Sequence, residues 1–283
     1  MKKIITTALL AVVVFISCND DEFLDQKSPD QLTSDSFWRN TDDALSGLTA
    51  VYAELESRSN FWDGWQEGRP IIEYYRSDYA LPGPDAVNYA HWREIFNFNY
   101  TNGHTHINVL WRTNYKGLNF ANQVITKVGE MTADQISDAD KKQIIGEATF
   151  LRGYYHFKLL TLFEQIILRT EIITAETLDK PLSTRSEAWE VIIDDFKQAA
   201  TMLKNKEATE VGRATKGAAY GYLGKAYLYK AGDDTSSETT DFQNALDDFN
   251  NFKKNINSED VEEFAQVNYN LGYCYFKLKE YPK

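Results

Sequence analysis

The sequence predicts an all-α protein, a helical solenoid of stacked helix pairs that carries long, aromatic-rich loops. Apolar residues recur at helical spacing over most of the chain after residue 18, and no segment there is typical of a long strand. Two later segments repeat a Leu-Gly-x-x-Tyr pattern, which indicates helix pairs of one kind. Glycine and proline concentrate between residues 64 and 84, which predicts one long irregular segment between the helices.

The first predicted helix begins at Thr41, whose hydroxyl can cap the first turn, and Asp42 and Asp43 follow near the positive end of the helix dipole. Its apolar face comprises Leu45, Leu48, Tyr52 and Leu55. Residues 109–128 predict a second helix by the same spacing. The apolar face of the second helix comprises Trp111, Tyr115, Leu118, Ala121, Ile125 and Val128.

A third helix is predicted over residues 138–163. A fourth begins with Thr184-x-x-Glu187, a capping box in which each of the two side chains satisfies a backbone N–H group of the first turn. The stripe that this fourth helix buries is predicted to comprise Trp189, Ile192, Phe196, Ala199 and Leu203.

The later helices share a local signature, a leucine followed four residues later by a tyrosine. The pairs are Leu151 and Tyr155, Leu223 and Tyr227, and Leu271 and Tyr275. In "YLGKAY" and "NLGYCY" a glycine after the leucine lets a partner helix approach closely, and Ala245 and Phe249 indicate a returning helix. The pattern resembles that of tetratricopeptide repeats, with "AGDDTSSETT" (231–240) predicted as a loop inserted inside one hairpin.

The last repeat contains only its first helix, because the chain reaches "KLKEYPK" soon after Tyr275. One helix of a pair cannot bury its own apolar face. We therefore expect this face to be covered by further chain or by a partner protein.

The N-terminus predicts a lipoprotein signal peptide. Lys2 and Lys3 precede an apolar run over residues 4–16, which is too short to cross a bilayer as a helix, since about 20 residues are needed. Ser17 and Cys18 end that run, and a cysteine at this point predicts cleavage after residue 17 and acylation of Cys18. Several acyl chains can anchor a protein stably in a membrane. An ordinary signal peptide that is cut elsewhere is the alternative.

Composition and charge exclude some classes of function. Hydrophobic residues make up 43% of the chain, so a disordered protein is not predicted. Lipidation of Cys18 would leave Cys274 without a disulfide partner, so the core must hold the fold together. The chain has 30 basic and 42 acidic residues, and loss of Lys2 and Lys3 with the signal peptide leaves a net charge near −14. This charge disfavours nucleic acid as a partner, because such binding depends on neutralising phosphates.

The sequence contains no persuasive catalytic or cofactor-binding set, so a non-enzyme without a cofactor is predicted. It has no G-x-S-x-G elbow, phosphate loop or dinucleotide fingerprint. His104 and His106 stand two residues apart, but no third ligand follows at a telling spacing, so a metal site is not predicted. His156 is expected to be a packed histidine of the third helix. A glycoside hydrolase, with a carboxylate pair assembled by the fold, is an alternative.

Aromatic residues are concentrated between residues 62 and 111, where four of the six tryptophans lie. Trp62 and Trp65, in "NFWDGWQEGRP", stand beside glycine and proline and hence on a predicted loop. Flat rings beside polar groups suit the C–H faces of sugar rings, and Arg76 and Asn97 could add polar contacts. The predicted ligand-binding residues are Trp62, Trp65, Arg69, Tyr74, Tyr79, Asn88, Trp92 and Arg93. The alternative is that these rings fill the core around long loops.

Several ordered segments resemble the SusD/RagB family of nutrient-binding outer-membrane lipoproteins. They are "CNDDEFLDQKSPDQLTSDSFWRNTDDALSGLTAVYAEL", "LWRTNYKGLNFANQVITKV", "GEATFLRGYYHFKLLTLF", "PLSTRSEAWEVIIDDFKQA" and "GRATKGAAYGYLGKAYLYKAG". The resemblance runs from Cys18 to about residue 232, roughly three quarters of the chain.

The resemblance implies a tetratricopeptide-like helical scaffold whose loops form a glycan-binding face, here corresponding to about residues 60–100. It also implies a lipid anchor at the cell surface in the outer membrane, and binding without cleavage. The bound neutral oligosaccharide or polysaccharide would pass to a TonB-dependent, SusC-like outer-membrane transporter. The expected division is a signal peptide over residues 1–17, a SusD-like helical domain over 18–232 and incomplete tetratricopeptide-like helices over 233–283.

Two departures from the family accompany the resemblance. "LFEQIILR" (162–169) replaces the glycine and proline usual in the turn after the third helix, so a different turn is expected. The long C-terminal half of the family, which supplies further ligand contacts, has no counterpart in this sequence. A second hypothesis is therefore a lipid-anchored, tetratricopeptide-like scaffold that binds protein and no sugar. Exposed rings favour sugar binding, and rings packed inward favour the scaffold.

Overall fold

The computed structural model describes residues 34–56, 76–77, 83, 90–234, 236–256 and 261–279. Over these residues the chain is all-α, as predicted, and none of them forms a strand. The helices are α1 (Ser34–Phe37), α2 (Thr41–Glu56), α3 (Ala90–Phe96), α4 (Thr105–Glu130), α5 (Asp138–Leu162), α6 (Arg185–Met202), α7 (Lys216–Asp233), α8 (Glu238–Lys254) and α9 (Val261–Leu278), with a 3₁₀ helix at Lys206–Ala208.

The chain divides into two compact units, Met1–Trp38 and Arg39–Lys283. In the first unit, α1 ends at Phe37, whose ring meets the edge of Trp38 with ring centroids 4.9 Å apart. The second unit contains helices α2 to α9 and the sites described below. The division predicted at residues 17 and 232 stays a prediction.

Helices α4 to α9 pack mainly on their neighbours in sequence. Each of them packs against the next, from α4 on α5 to α8 on α9, and α2 packs on both α4 and α5. Such nearest-neighbour stacking is the defining property of a solenoid. The predicted arrangement of stacked helix pairs is therefore confirmed for the described residues.

Helix α6 begins as its sequence predicted. The Thr184 hydroxyl accepts a hydrogen bond from the Glu187 backbone N–H, and the Glu187 carboxylate accepts one from the Thr184 N–H at 2.8 Å, which completes the capping box. The whole predicted stripe is buried: Trp189, Ile192, Phe196, Ala199 and Leu203. The predicted apolar face of α4 is only partly buried. Three of its residues are half-buried, namely Trp111, Tyr115 and Ile125.

The loop predicted over residues 231–240 is wrong in its extent. Helix α7 continues to Asp233 and α8 already begins at Glu238. Two contacts hold the last turn of α7 in helical form: the Trp189 indole N–H donates to the Asp233 carboxylate at 2.6 Å, and Arg185 pairs with it at 2.6 Å. These partners come from α6, far away in sequence, so local composition could not indicate them.

The glycine of "YLGKAY" does permit a close helix approach, as predicted. A Cβ atom on Gly224 would lie 3.0 Å from the buried ring of Phe249 on α8. At Gly272 of "NLGYCY", in contrast, no described atom beyond its chain neighbours and its own helix backbone lies within 4 Å of such a Cβ. The glycine of this motif therefore permits close helix packing in α7, whereas among the described residues that of α9 has no such role.

A buried carboxylate, Glu147 of α5, joins three segments of the chain. Its side chain is fully buried and pairs with Arg213 through both carboxylate oxygens, at 2.8 and 2.9 Å. The Tyr52 hydroxyl of α2 donates to it at 2.7 Å, and the Gln143 amide donates at 2.8 Å. The Tyr52 oxygen in turn accepts from the Ala214 backbone N–H at 2.8 Å. Glu147 thus connects α2, α5 and the segment that leads into α7.

The segment after α5, where "LFEQIILR" departs from the family pattern, is held by side chains of α4 and α5. The Tyr115 hydroxyl donates to the Ile167 carbonyl at 3.0 Å and accepts from the Ile167 N–H at 2.7 Å. Asn122 donates to the carbonyls of Arg169 and Glu171, at 2.8 and 3.0 Å. Side chains thus fix the path of this segment, for which the resemblance implies glycine and proline.

His156 is a packed histidine, as predicted. Its Nε2 accepts a hydrogen bond from the Arg169 backbone N–H at 3.2 Å, and its side chain is fully buried. Burial, with the nearby Arg152 charge as the second cause, lowers the pKa of His156 to about 3. An unfolded histidine has a pKa of about 6.5. As pH falls, His156 is therefore protonated in the unfolded chain before it is protonated in the folded protein. The free energy of unfolding decreases from about pH 6.5 downward until the pH nears the folded pKa.

We expect His156 to account for a loss of about 1 to 1.5 kcal/mol in the free energy of unfolding between roughly pH 7.5 and 5.5. His156→Gln keeps an acceptor for the Arg169 N–H and does not titrate. Between these two pH values, the free energy of unfolding of the variant should therefore fall by about 1 to 1.5 kcal/mol less than that of the unsubstituted protein. Urea unfolding of both proteins at the two pH values measures the difference, and equal losses would contradict the expectation.

The last helix, α9, exposes an aromatic face. Tyr269 is 71% exposed, Tyr273 40% and Phe276 61%, while Val267, Leu271 and Cys274 are buried. Other residues of the chain thus leave this face largely exposed, and its covering by further chain or by a partner protein stays a prediction. Among the described helices, none combines the length and the apolar character that a membrane span requires.

Candidate functional site

Two of the predicted ligand-binding residues, Trp92 and Arg93, fall within the described residues. The others lie outside the described residues and stay predictions: Trp62, Trp65, Arg69, Tyr74, Tyr79 and Asn88. The predicted lipidation of Cys18 also lies outside them.

Trp92 and Arg93 lie on helix α3, within a stretch for which an irregular loop was expected. Trp92 is half-buried and packs against buried Ile95 and Leu110, in a small cluster that Tyr100, Ile107 and Leu162 complete. Arg93 is exposed. Part of the Trp92 ring thus packs inward, as the core alternative expects, while Arg93 faces solvent.

Helix α3 ends in a turn centred on Phe98. The Asn99 N–H donates to the Glu94 carbonyl at 3.0 Å, and the Phe98 N–H donates to the Ile95 carbonyl at 3.2 Å. This pair of bonds forms a Schellman motif in which Phe98 occupies the position usually held by glycine. Its φ is 55°, and a residue with a side chain is disfavoured there by about 1–2 kcal/mol. The Phe98 side chain is nevertheless 61% exposed, so burial does not explain a large apolar residue at this strained position.

One polar side chain lies near this exposed ring, and three more are its neighbours in sequence. The Arg76 guanidinium lies 6.0 Å from the Phe98 ring centroid, and Arg93, Asn97 and Asn99 are exposed on the same short stretch. We call residues 97–99 together with Arg76 and Arg93 the Phe98 turn. A flat ring flanked by hydrogen-bond donors can stack on a sugar ring and bind its hydroxyl groups.

Phe98 was not among the predicted site residues. The available signal was the pattern "IFNFNY", in which a helix ends with no glycine nearby and a phenylalanine stands between two asparagines. That signal becomes meaningful only once the helix end and its positive φ are known. The general prediction of ligand binding near residues 60–100 did include this position.

Three histidines meet beside the Phe98 turn: His91 on α3, His104 at the N-cap of α4, and His106 in its first turn. Their ring centroids lie 5.4–6.1 Å apart. Burial, followed by repulsion from His104 and His91, lowers the pKa of His106 to about 4. One potential ligand atom each from His91, Glu94 and His104 lies within 4.8 Å of the other two. His91 and Glu94 join His104 only through folding, so spacing along the chain did not predict this group.

A separate groove of about 810 Å³ lies along α7 and α8. Its lining includes four aromatic side chains, those of Tyr222, Tyr229, Phe249 and Phe252. The Lys225 ammonium lies 5.8 Å from the Tyr222 ring centroid. A groove of this kind between stacked helices suits a peptide at least as well as a sugar.

Comparison with known proteins matches most of the chain to one family. A family model for SusD-like proteins, described as "Starch-binding associating with outer membrane", matches residues 22–228. A SusD-like protein of Bacteroides ovatus is 30% identical over 232 residues, which cover 81% of this chain and 39% of that protein. SusD-like protein P38 of Formosa agariphila is 24% identical over 203 residues, which cover 70% of this chain and 37% of that protein. The chain thus spans less than half the length of these curated relatives.

Solved structures share the fold. A laminarin-binding SusD-like protein superimposes with a TM-score of 0.62 and 22% identity, over 75% of this chain and 43% of its own. A SusD-like protein of Bacteroides fragilis gives a TM-score of 0.64 and 24% identity, over 81% of this chain and 41% of its own. With the sequence match over residues 22–228 and this common helical fold, the chain belongs to the SusD-like family.

Proposed function

We propose that this chain binds glycans at the cell surface and passes them to an outer-membrane transporter. The observation that carries the glycan-binding part is the Phe98 turn, an exposed ring in a disfavoured backbone conformation with the Arg76 guanidinium nearby. Observed strain of this kind clusters at binding sites, since the surrounding structure must maintain it. Two structural relatives support the choice of ligand by their descriptions, one as laminarin-binding and one with a xylogluco-oligosaccharide.

The proposed site is one for capture, without cleavage. A stacked ring contributes about 1 kcal/mol. If Phe98 acts together with one or two of the predicted tryptophans and a few hydrogen bonds, the dissociation constant falls between roughly millimolar and tens of micromolar. An affinity in this range allows fast release, which suits a protein that passes its ligand on.

Two observations support the proposed location, the N-terminal sequence and the description of the family. Cleavage before Cys18 and its acylation would anchor the protein in the outer membrane, and the matched family is described as associating with that membrane. The proposed partner is a TonB-dependent, SusC-like transporter. Mass spectrometry of the mature protein tests the anchor, and an unmodified Cys18 would remove it. Co-purification from solubilised outer membranes tests the partner, and recovery without such a transporter would argue against it.

Phe98→Gly is expected to weaken glycan binding while the protein stays at least as stable. The variant removes the ring that would stack on the sugar, so affinity should fall about fivefold to tenfold, as expected for about 1 kcal/mol. Glycine accepts a φ of 55° without strain, so the free energy of unfolding should stay unchanged or rise by up to about 1 kcal/mol. Gel retardation in a panel of neutral polysaccharides that includes laminarin and xyloglucan measures the first effect, and urea unfolding measures the second.

Phe276→Ala is the matched control, because Phe276 is also 61% exposed but lies on α9. It should leave retardation unchanged. Trp62→Ala and Trp65→Ala, run in the same gels, test the predicted tryptophans. Unchanged retardation of Phe98→Gly would exclude the Phe98 turn as the site. Absence of retardation for the folded, unsubstituted protein would favour the scaffold hypothesis, for which the groove along α7 and α8 is the supporting observation.

A further inference from the structure

We propose that His91, Glu94 and His104 form a binding site for a divalent transition-metal ion of the zinc class. No function assigned to the chain above involves a metal, and the proposal holds whether or not the Phe98 turn binds a glycan. Two imidazoles and one carboxylate form a donor set that zinc accepts readily, whereas calcium and magnesium prefer oxygen ligands.

The separations between the three side chains fit a metal site better than a set of hydrogen bonds. Glu94 Oε2 lies 3.4 Å from His104 Nε2 and 3.6 Å from His91 Nδ1. Charge-assisted hydrogen bonds between such groups are shorter, at about 2.7–2.9 Å. Two ligands that each lie about 2.1 Å from a tetrahedral zinc ion are about 3.4 Å apart, as the tetrahedral angle requires. The observed separations therefore leave room for an ion among the three side chains.

The ligands are positioned by regular structure. His91 and Glu94 are three residues apart on α3, so both side chains lie on one face of the helix. His104 is the N-cap residue of α4, and its side chain makes no cap hydrogen bond. Its side chain is 2% exposed, and its Nδ1 has no hydrogen-bond partner among the described residues. His104 Nε2 lies 3.2 Å from the His91 carbonyl oxygen, so in the metal-free protein its N–H donates to that carbonyl. A metal ion at Nε2 would replace this proton, and the unpartnered Nδ1 would then carry the ring proton.

A bound metal ion would stabilise helix α3 and the segment that connects it to α4. Helix α3 has only seven residues, and a helix this short is not stable without tertiary contacts. Glu94 and His104 flank residues 97–99 of the Phe98 turn, so an ion bound to both would close the segment between them. With three protein ligands, the fourth tetrahedral position stays available for water or for an external ligand.

Titration of the tag-free protein with CoCl2 tests the proposal, because tetrahedral Co²⁺ absorbs strongly in visible light and can replace Zn²⁺ as a probe. We expect one Co²⁺ per chain, displaced by ZnCl2 but not by MgCl2. His91→Ala should weaken Co²⁺ binding by about 100-fold or more, since even loss of a group that only orients a ligand weakens metal sites by 10- to 100-fold. The His91 side chain is 58% exposed, so this variant should fold normally.

His104→Ala should weaken Co²⁺ binding by a similar factor, and circular dichroism verifies that each variant is folded. His156→Gln, which changes a buried histidine of α5, is the control and should bind Co²⁺ as the unsubstituted protein does. Absence of Co²⁺ binding by the folded protein would overturn the proposal. Binding that persists unchanged in both His91→Ala and His104→Ala would overturn it as well.

Discussion

Glu147→Ala is expected to lower the free energy of unfolding by about 3 kcal/mol. Glu147 is fully buried and compensates the charge of Arg213, whose side chain is only 25% exposed. Without the carboxylate, the Arg213 guanidinium, the Tyr52 hydroxyl and the Gln143 amide all lose an acceptor. Removal of one partner from a buried pair is damaging because the other group is left uncompensated.

Urea unfolding followed by circular dichroism measures this effect. Glu190→Ala, which removes an exposed carboxylate of α6, is the control and should change stability by less than about 0.5 kcal/mol. Glu147→Gln separates charge from shape, since it keeps an acceptor for Tyr52 but no longer neutralises Arg213. Glu147→Gln should lower the free energy of unfolding by more than Glu190→Ala and by less than Glu147→Ala. A loss below about 1 kcal/mol for Glu147→Ala would show that the three connected segments do not depend on this residue.

Gly117→Ala is expected to lower the free energy of unfolding by about 3 kcal/mol or more. Its Cβ would lie 2.5 Å from the Tyr155 ring, closer than two carbon atoms can approach. Tyr155 is fully buried, and its hydroxyl donates to the Val51 carbonyl at 2.6 Å. The ring therefore cannot move aside without loss of that hydrogen bond, and helices α4 and α5 would have to separate.

Gly129→Ala is the matched control, since it makes the same substitution in the same helix, α4. Apart from its chain neighbours and its own helix backbone, no atom of the described residues lies within 4 Å of the added Cβ. The higher helix propensity of alanine should therefore stabilise the protein by about 0.5–1 kcal/mol. The two substitutions should thus have opposite signs in urea unfolding. Stabilisation by both would contradict the close crossing of α4 and α5.

The parts of the fold that depend on local patterns were predictable from the sequence. The capping box of Thr184 and Glu187 and the stripe from Trp189 to Leu203 follow from spacing within α6, and the structure confirms both. The end of α7 was not predictable, because Asp233 is held there by Trp189 and Arg185 of another helix. Composition indicated a loop, and these contacts from α6 override it.

The candidate site was predictable only as a region. Density of aromatic residues pointed to residues 62–111, and the resemblance to the SusD/RagB family implied binding loops at about residues 60–100. Phe98 stands out only through its φ and exposure, which spacing does not reveal. His91 and Glu94 lie on α3, whereas His104 lies at the start of α4. The three side chains meet only because these two helices pack together, so no spacing along the sequence indicates the group. Trp92, chosen as a sugar-binding ring, is half-buried against Ile95, and its role in ligand binding stays a prediction.

The measurement that tests the central claim most directly is a crystal structure of the protein with the oligosaccharide that retards it most strongly. We predict a sugar ring stacked on Phe98, with its hydroxyl groups within hydrogen-bond distance of Arg76, Arg93, Asn97 or Asn99. A sugar bound in the groove along α7 and α8, with the Phe98 turn unoccupied, would contradict the claim.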